Sequence, residues 1–346
     1  MKRNRCPTGG FGVDFSAPGD VENISAKVDL VGKRILAHGV TSFCPTIITS
    51  PAHVYQKVFS SIKKKPGSKD GAGILGLHIE GPFISVEKHG AHKVDYIIAD
   101  AQSADAYTQI YGSNLSQVAI ITMAPELPHA CEQIAQLIKQ NNDIKISLGH
   151  SMASLSQAED AVLSGATGIT HLFNAMVPFH HHDPGLVGLL TSPRIPSGCS
   201  LHFGIIADGV HVEDAALRIA HKTHADGLML ITDANAGLGM SDGIHDLGDQ
   251  TVEIFGNRAV IAGTQTLAGS VVSLDHCIRT FLKGSRCSLV EALECATLHP
   301  AQFLGIADRK GTLDYGSDAD FVLLSPEDLQ VQATFIAGER VWYREA

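Results

Sequence analysis

Short apolar runs recur along the chain at 40–46, 73–80, 118–123, 144–150, 168–171, 203–208 and 228–233, each ending in polar residues beside Gly, Pro or Asn. Between them lie stretches of helical periodicity at 21–38, 51–64, 129–140, 154–164 and 213–224, with two more after the last run at 269–283 and 288–298. Strand candidates alternating with amphipathic helices form the pattern of βα units around a parallel sheet. The series starts with a helix and has no strand ahead of it. A (β/α)8 barrel closes with eight strands, so the repeat predicts a TIM-type barrel missing its first strand, which would fall just upstream of Gly10. Beyond Gly311 the pattern changes to short strands and turns over 310–316, 319–324 and 333–342. Two or three such strands bury little by themselves. The expected α/β organisation is a catalytic barrel over 1–310 and a remnant of a small β-sandwich over 311–346.

The composition narrows the partners. The 26 Lys+Arg against 36 Asp+Glu leave a net charge of −10, and no basic run exceeds Lys63-Lys64-Lys65, which argues against nucleic acid. The seven cysteines are odd in number and never paired as C-x-x-C, which suits a reducing compartment. The basic start, Met1 to Pro7, leads into no apolar stretch, and no apolar run reaches membrane length. A cytoplasmic protein without a membrane partner is expected. The 18 histidines invite a metal or proton-transfer reading.

Chemistry collects where the runs end. In a parallel barrel the C-terminal ends of the strands form the active face, so Glu80, His150, His171, Asp208 and Asp233 would meet at one mouth. Two imidazoles and a carboxylate suit Zn²⁺ or a similar divalent ion with one position open for water, and a further carboxylate could serve as base. Asp208 reads equally well as the N-cap of the next helix. A lone strand-end His can also be a hydrogen-bonded packing residue.

Five motifs carry a resemblance: Gly76-Leu77-His78-Ile79-Glu80-Gly81-Pro82-Phe83, Gly149-His150-Ser151-Met152-Ala153, Thr170-His171-Leu172-Phe173-Asn174-Ala175-Met176, Ala207-Asp208-Gly209-Val210-His211 and Thr232-Asp233-Ala234. In order and approximate spacing they resemble the N-acetylglucosamine-6-phosphate deacetylases of the amidohydrolase superfamily. That resemblance implies a divalent metal, Zn²⁺ or alternatively Co²⁺, Fe²⁺ or Mn²⁺, held by Glu80, His150 and His171, with Asp233 as general base and acid. It places the substrate against Ala91, Asn174, Ala175, Asp208, Gly209, Val210, His211, Leu267, Ala268 and Gly269. For the last three the alternative is ordinary Gly-rich punctuation before a helix. The implied reaction converts N-acetylglucosamine 6-phosphate to glucosamine 6-phosphate and acetate in amino-sugar catabolism, with His211 contacting the substrate or the developing oxyanion.

Two departures stand out. Where the family offers an Arg across a homodimer interface to the sugar phosphate, the run Phe179-His180-His181-His182-Asp183 has His182, a single donor that needs a proton to carry charge. This run can equally be a solvated surface loop. The second departure is at the N-terminus, where only Met1 to Thr8 precede Gly9, so the usual first strand and half of the sandwich are expected to be absent. Besides the deacetylase, two readings stay open: a catalytically impaired truncated homologue with a binding or regulatory role, and a related amidohydrolase acting on another acetylamino sugar.

Overall fold

The structure, a computed structural model, describes residues 8–16, 22–196, 198–247 and 250–345. Seven of the described strands form one parallel sheet: β1 (Thr46–Ile48), β2 (Leu77–Glu80), β3 (Val118–Met123), β4 (Lys145–Leu148), β5 (Gly168–Ile169), β6 (His202–Ile206) and β7 (Leu228–Ile231). They lie side by side in chain order, and every adjacent pair is parallel. Six of the seven expected runs supply these strands and the first falls mostly short of β1, the sheet curling as most of a TIM-like barrel. All six residues of β3 are buried, as a strand covered on both faces requires.

The helices between the strands follow their sequence patterns. In α4 (Ala130–Gln140) the buried positions Ala130, Gln133, Ile134 and Leu137 recur at i, i+3, i+4 and i+7, which turns one stripe onto the sheet. The outer layer also contains α1 (Ile24–Arg34), α2 (Ala52–Ser61), α3 (Ala106–Tyr111), α5 (Leu155–Leu163), α6 (Asp214–Thr223), α7 (Leu274–Ser285), α8 (Leu289–Glu294) and α9 (Leu298–Leu304). Capping boxes start α5 at Ser154 with Gln157 and α8 at Ser288 with Glu291, satisfying N–H groups that the first turn leaves unpaired.

Four local expectations need correction. The runs 40–46 and 73–80 are each broken, with Ser42–Phe43 pairing Gly73–Ile74 before β1 pairs β2. Pro45 has no N–H to give a ladder, and Gly76 sits at φ 142°. The first helix is preceded by a two-residue hairpin, Gly9–Gly10 with Val13–Asp14, too short to show a period in sequence. Residues 243–261 form an unanticipated antiparallel sheet, β8 (Gly243–Leu247), β9 (Gln250–Phe255) and β10 (Arg258–Ile261), around a separate small core that includes Ile254 and Ala259. Finally, 310–316 is turn rather than strand, with Gly311 and Gly316 at φ 96° and 86°.

No strand among the described residues pairs with the outer edges of β7 and β1. The β7 edge is covered by other groups. Leu230 N donates to Cys295 O at 2.8 Å, His299 Nδ1 donates to Leu228 O at 2.7 Å, and Cys277 Sγ reaches Ile231 O at 3.7 Å. Helix-end groups thus satisfy polar backbone that an open edge would expose. On β1, Ile48 N donates to Ser16 Oγ at 3.0 Å.

The C-terminal strands β11 (Phe321–Leu324), β12 (Val331–Ile336) and β13 (Glu339–Tyr343) form an antiparallel sheet that packs on the barrel. Ile336 belongs to the barrel's own core, with Val341 and Trp342 packed against it, and Thr334 Oγ1 donates to Leu36 O at 2.7 Å. A buried ion pair ties this tail to the end of the barrel: Lys310 Nζ lies 2.6 Å from Asp320 Oδ2 and 2.8 Å from Asp318 Oδ2. Removing the cation would leave Asp320, only 3 % exposed, without its charge partner. Lys310→Ala is therefore expected to lower the unfolding free energy by about 3–5 kcal/mol. Denaturant titration checks this, and a loss below about 1 kcal/mol, the worth of an exposed pair, would refute it.

Candidate active site

Glu80 is the last residue of β2, and His150 and His171 stand just past β4 and β5, so three strands of one parallel sheet aim their ends at one point. Glu80 Oε1 is 3.0 Å from His150 Nε2 and 3.1 Å from His171 Nε2, and the two Nε2 atoms are 3.0 Å apart. All three side chains are buried. The far side of each ring is held by backbone: His150 Nδ1 donates to Lys88 O at 2.7 Å, and His171 Nδ1 donates to Asn174 O at 3.1 Å. With the proton fixed on Nδ1, each Nε2 lone pair points into the triangle, the tautomer a metal ligand needs. Two imidazoles and a carboxylate in a nearly equilateral triangle therefore fit a divalent ion with an open position.

Backbone conformation aims these groups. His150, His171 and Asp233 have φ values of 48°, 35° and 45°, a region costly for side-chain-bearing residues and often occupied at functional sites. Glu126 pins the loop after His150, its carboxylate accepting from Ser151 Oγ at 2.7 Å and Met152 N at 2.6 Å. Below the triangle, a polar chain crosses the barrel interior: His78 Nε2 to Thr122 Oγ1 at 2.8 Å, Thr122 Oγ1 to Thr170 Oγ1 at 2.7 Å, and Ser147 Oγ to Thr170 Oγ1 at 2.6 Å. His78 precedes Glu80 by two, so both face inward from β2.

Asp233 faces the same cavity. Desolvation and the nearby Glu80 charge push its carboxyl above the ordinary carboxylate range, against the opposing pull of His171, His211 and His150. Burial alone would raise Glu80 as well, but hydrogen bonds and charge from His150 and His171 hold it well below that range. The two carboxylates are thus driven apart, the arrangement that separates a fixed anion from a proton acceptor.

The cavity of about 210 Å³ is lined by this cluster together with Ala91, Asn174, Ala175, His211, Leu267, Ala268 and Gly269. Gly269, at φ 68°, brings this loop against the strand end; a Cβ there would meet Asp233 O at 2.9 Å. Asp208, Gly209 and Val210 do not line it. Asp208 is neither a free acid nor a helix cap, since α6 is capped by Glu213. Its Oδ1 accepts from Val210 N and His211 N, both at 2.8 Å, and its Oδ2 accepts from His211 Nδ1 at 2.6 Å. Asp208 thus orients His211 and leaves Nε2 for a ligand. His182 lies outside the cavity in an exposed loop, its ring 4.1 Å from that of His181 and 5.5 Å from that of His180.

Other lining residues were not among the candidates from sequence. His92 is buried with its ring 4.4 Å from that of His150 and its Nδ1 2.7 Å from Thr49 Oγ1. Burial, then the neighbouring His150, push its pKa well below the ordinary imidazole range. Its adjacency to Ala91 was the available signal. Asp14 and Asn235 also line the wall, as do Leu247 from β8 and Val252 from β9, apolar residues outside the βα repeat.

Among known proteins, residues 20–341 match the Amidohydrolase family. N-acetylglucosamine-6-phosphate deacetylase of Bos taurus is 55% identical over 340 residues, 97% of this chain and 81% of that protein. The solved structure of N-acetylglucosamine-6-phosphate deacetylase from Thermotoga maritima is similar with a TM-score of 0.83 and 27% identity, over 99% of this chain and 88% of that one. An aspartate-to-alanine mutant of the Mycobacterium smegmatis deacetylase, solved in complex with N-acetyl-D-glucosamine-6-phosphate, matches with a TM-score of 0.82 and 30% identity, over 99% and 85% of the two chains.

Proposed function

The chain belongs to the amidohydrolase family and, within it, to the N-acetylglucosamine-6-phosphate deacetylases; from that premise we propose that it hydrolyses the acetamide of N-acetylglucosamine 6-phosphate to glucosamine 6-phosphate and acetate, in amino-sugar catabolism. The observation that carries this reading is the Glu80–His150–His171 triangle with Asp233 on the same cavity wall. We assign the metal to those three residues and favour Zn²⁺, which takes two nitrogens and an oxygen readily and keeps a position for water. When bound, the ion supplies a Lewis acid that acidifies water and polarises an amide carbonyl.

The chain's own residues do the rest. Asp233 accepts the proton of the attacking water on a carboxylate oxygen and returns it to the departing amine nitrogen, so one group serves as base and then acid. Its raised proton affinity favours the first half of that exchange. His211, steadied through Nδ1 by Asp208, offers Nε2 to the substrate carbonyl or the sugar. Asn174, Ala175, Ala91 and residues 267–269 enclose the ring and exclude water.

We read the seven-stranded sheet as a (β/α)8-type barrel over 1–310 whose position between β7 and β1 has no strand among the described residues, and β11 to β13 as the sandwich remnant. No described helix is long and apolar enough to cross a membrane. The six described cysteines form no disulfide, which supports the cytoplasm as the compartment. A homodimer is the assembly in which the exposed His182 loop would reach a neighbouring site's phosphate. Acetate release from N-acetylglucosamine 6-phosphate by the purified chain with added Zn²⁺ tests the reading; a folded, metal-loaded chain without turnover would overturn it. His182→Arg is expected to lower KM severalfold, since a guanidinium forks onto phosphate where an imidazole donates singly. An unchanged KM would remove the loop from the site.

A further inference from the structure

On the outer face of the barrel, away from the lining of the catalytic cavity, a second set of metal-ligating side chains meets where α6 packs against the turn joining α7 to α8. His221 lies in the last turn of α6, Cys287 in the turn and Glu291 in the first turn of α8. One ligand atom from each lies within 4.8 Å of the others. Three facts separate this cluster from a chance encounter. His221 Nε2 is buried and has no hydrogen-bond partner among the described residues, with Glu291 Oε1 at 3.8 Å. Edge-on packing of that ring against Phe281, centroids 5.7 Å apart, presses it into the helix pair. Glu291 uses only Oε2 for its capping box, accepting from Ser288 N at 2.7 Å, which leaves Oε1 turned toward the imidazole.

A buried imidazole nitrogen without a partner costs free energy that a cation would recover. We propose that His221 Nε2, Cys287 Sγ and Glu291 Oε1 form a second divalent-cation site, distinct from the catalytic one, that takes Zn²⁺-class ions with water as the fourth ligand. Ligand atoms around a tetrahedral ion with bonds of about 2.0–2.3 Å stand roughly 3.5 Å apart, so closure requires movements of about 1 Å. The long Glu291 side chain, 47 % exposed, can supply most of this. A thiolate in the set selects zinc-like ions over Mg²⁺ or Ca²⁺. On binding, the Cys287 thiol releases its proton to solvent. The ion would clamp α6 to the start of α8, beside the segment that covers the free edge of β7.

Cobalt distinguishes the two sites, because the catalytic triangle contains no sulfur. Titrating Co²⁺ into the intact, metal-stripped chain should load two ions per chain and produce a sulfur-to-cobalt charge-transfer band in the near ultraviolet. Cys287→Ser should abolish the band and reduce loading to one ion while leaving acetate release unchanged. Glu291→Gln keeps the helix cap and should weaken Co²⁺ at this site by at least about tenfold. A folded wild type that binds one ion with no charge-transfer band would overturn the proposal. So would a band that survives in a folded Cys287→Ser, or Co²⁺ affinity undiminished in Glu291→Gln.

Discussion

Replacing Asp233 with Asn should lower kcat for acetate release on the order of 10³-fold while the protein retains its catalytic metal. The amide preserves shape and polarity but cannot take a proton from water or deliver one to the leaving amine. Since Asp233 stands outside the Glu80–His150–His171 triangle, the loss should appear in kcat with metal content unchanged. Turnover in the variant within tenfold of wild type would move the proton-transfer role to another residue. Outside the triangle, Asp14, His92 and His211 are the other titratable groups on that wall and the candidates for that role.

Removing the divalent ion should have an effect of similar size. Chelation is expected to reduce acetate release by at least about 10³-fold, with recovery on adding Zn²⁺ back, because several kcal/mol of charge stabilisation leave with the ion. Glu80→Gln should give much of the same loss by weakening the metal by more than about tenfold, readable as metal content after dialysis. A chelated chain that keeps full activity would refute a metal-dependent mechanism at this triangle.

The stripped chain should also show a characteristic pH dependence of stability. Burial alone would lower the His171 pKa, but hydrogen bonding and charge from Glu80 raise it above the ordinary imidazole value. A raised folded-state pKa contributes stability that is fully present below the unfolded value and is lost as pH rises through the folded one. The metal-free protein should therefore weaken as pH rises above the ordinary imidazole value of about 6.5, as deprotonation leaves the Glu80 charge buried without its partner. The metal-loaded protein gains affinity as its ligands deprotonate, so the difference in Tm between the two forms should widen over the same range. A constant or narrowing difference would contradict the assigned proton positions.

Much of this molecule is legible in one dimension because βα repetition maps period onto place. Glu80, His150, His171 and Asp233 each end an apolar run, and in a parallel barrel that position alone puts a side chain on the active face. The same rule misjudged Asp208: it too follows a strand, but its carboxylate is spent on Val210 N, His211 N and the His211 ring. Leu247 and Val252 of the β8–β10 sheet carry no mark in the sequence because they reach the cavity from an antiparallel meander outside the βα repeat.

The sequence by itself determined six of the seven parallel strands, the helical stripes that cover them and the residue types at the mouth, since local periodicity specifies each. Only the tertiary structure decided which atoms meet. The carbonyls of Lys88 and Asn174 fix the tautomers of His150 and His171, and His299, Cys295 and Cys277 cover the free edge of β7. His221, Cys287 and Glu291 come together only because α6 lies against the α7–α8 turn. Most of these contacts span tens of residues, and none carries a period. They depend on how helices settle against a closed-packed sheet, and packing is a property of the assembled volume that no stretch of sequence contains.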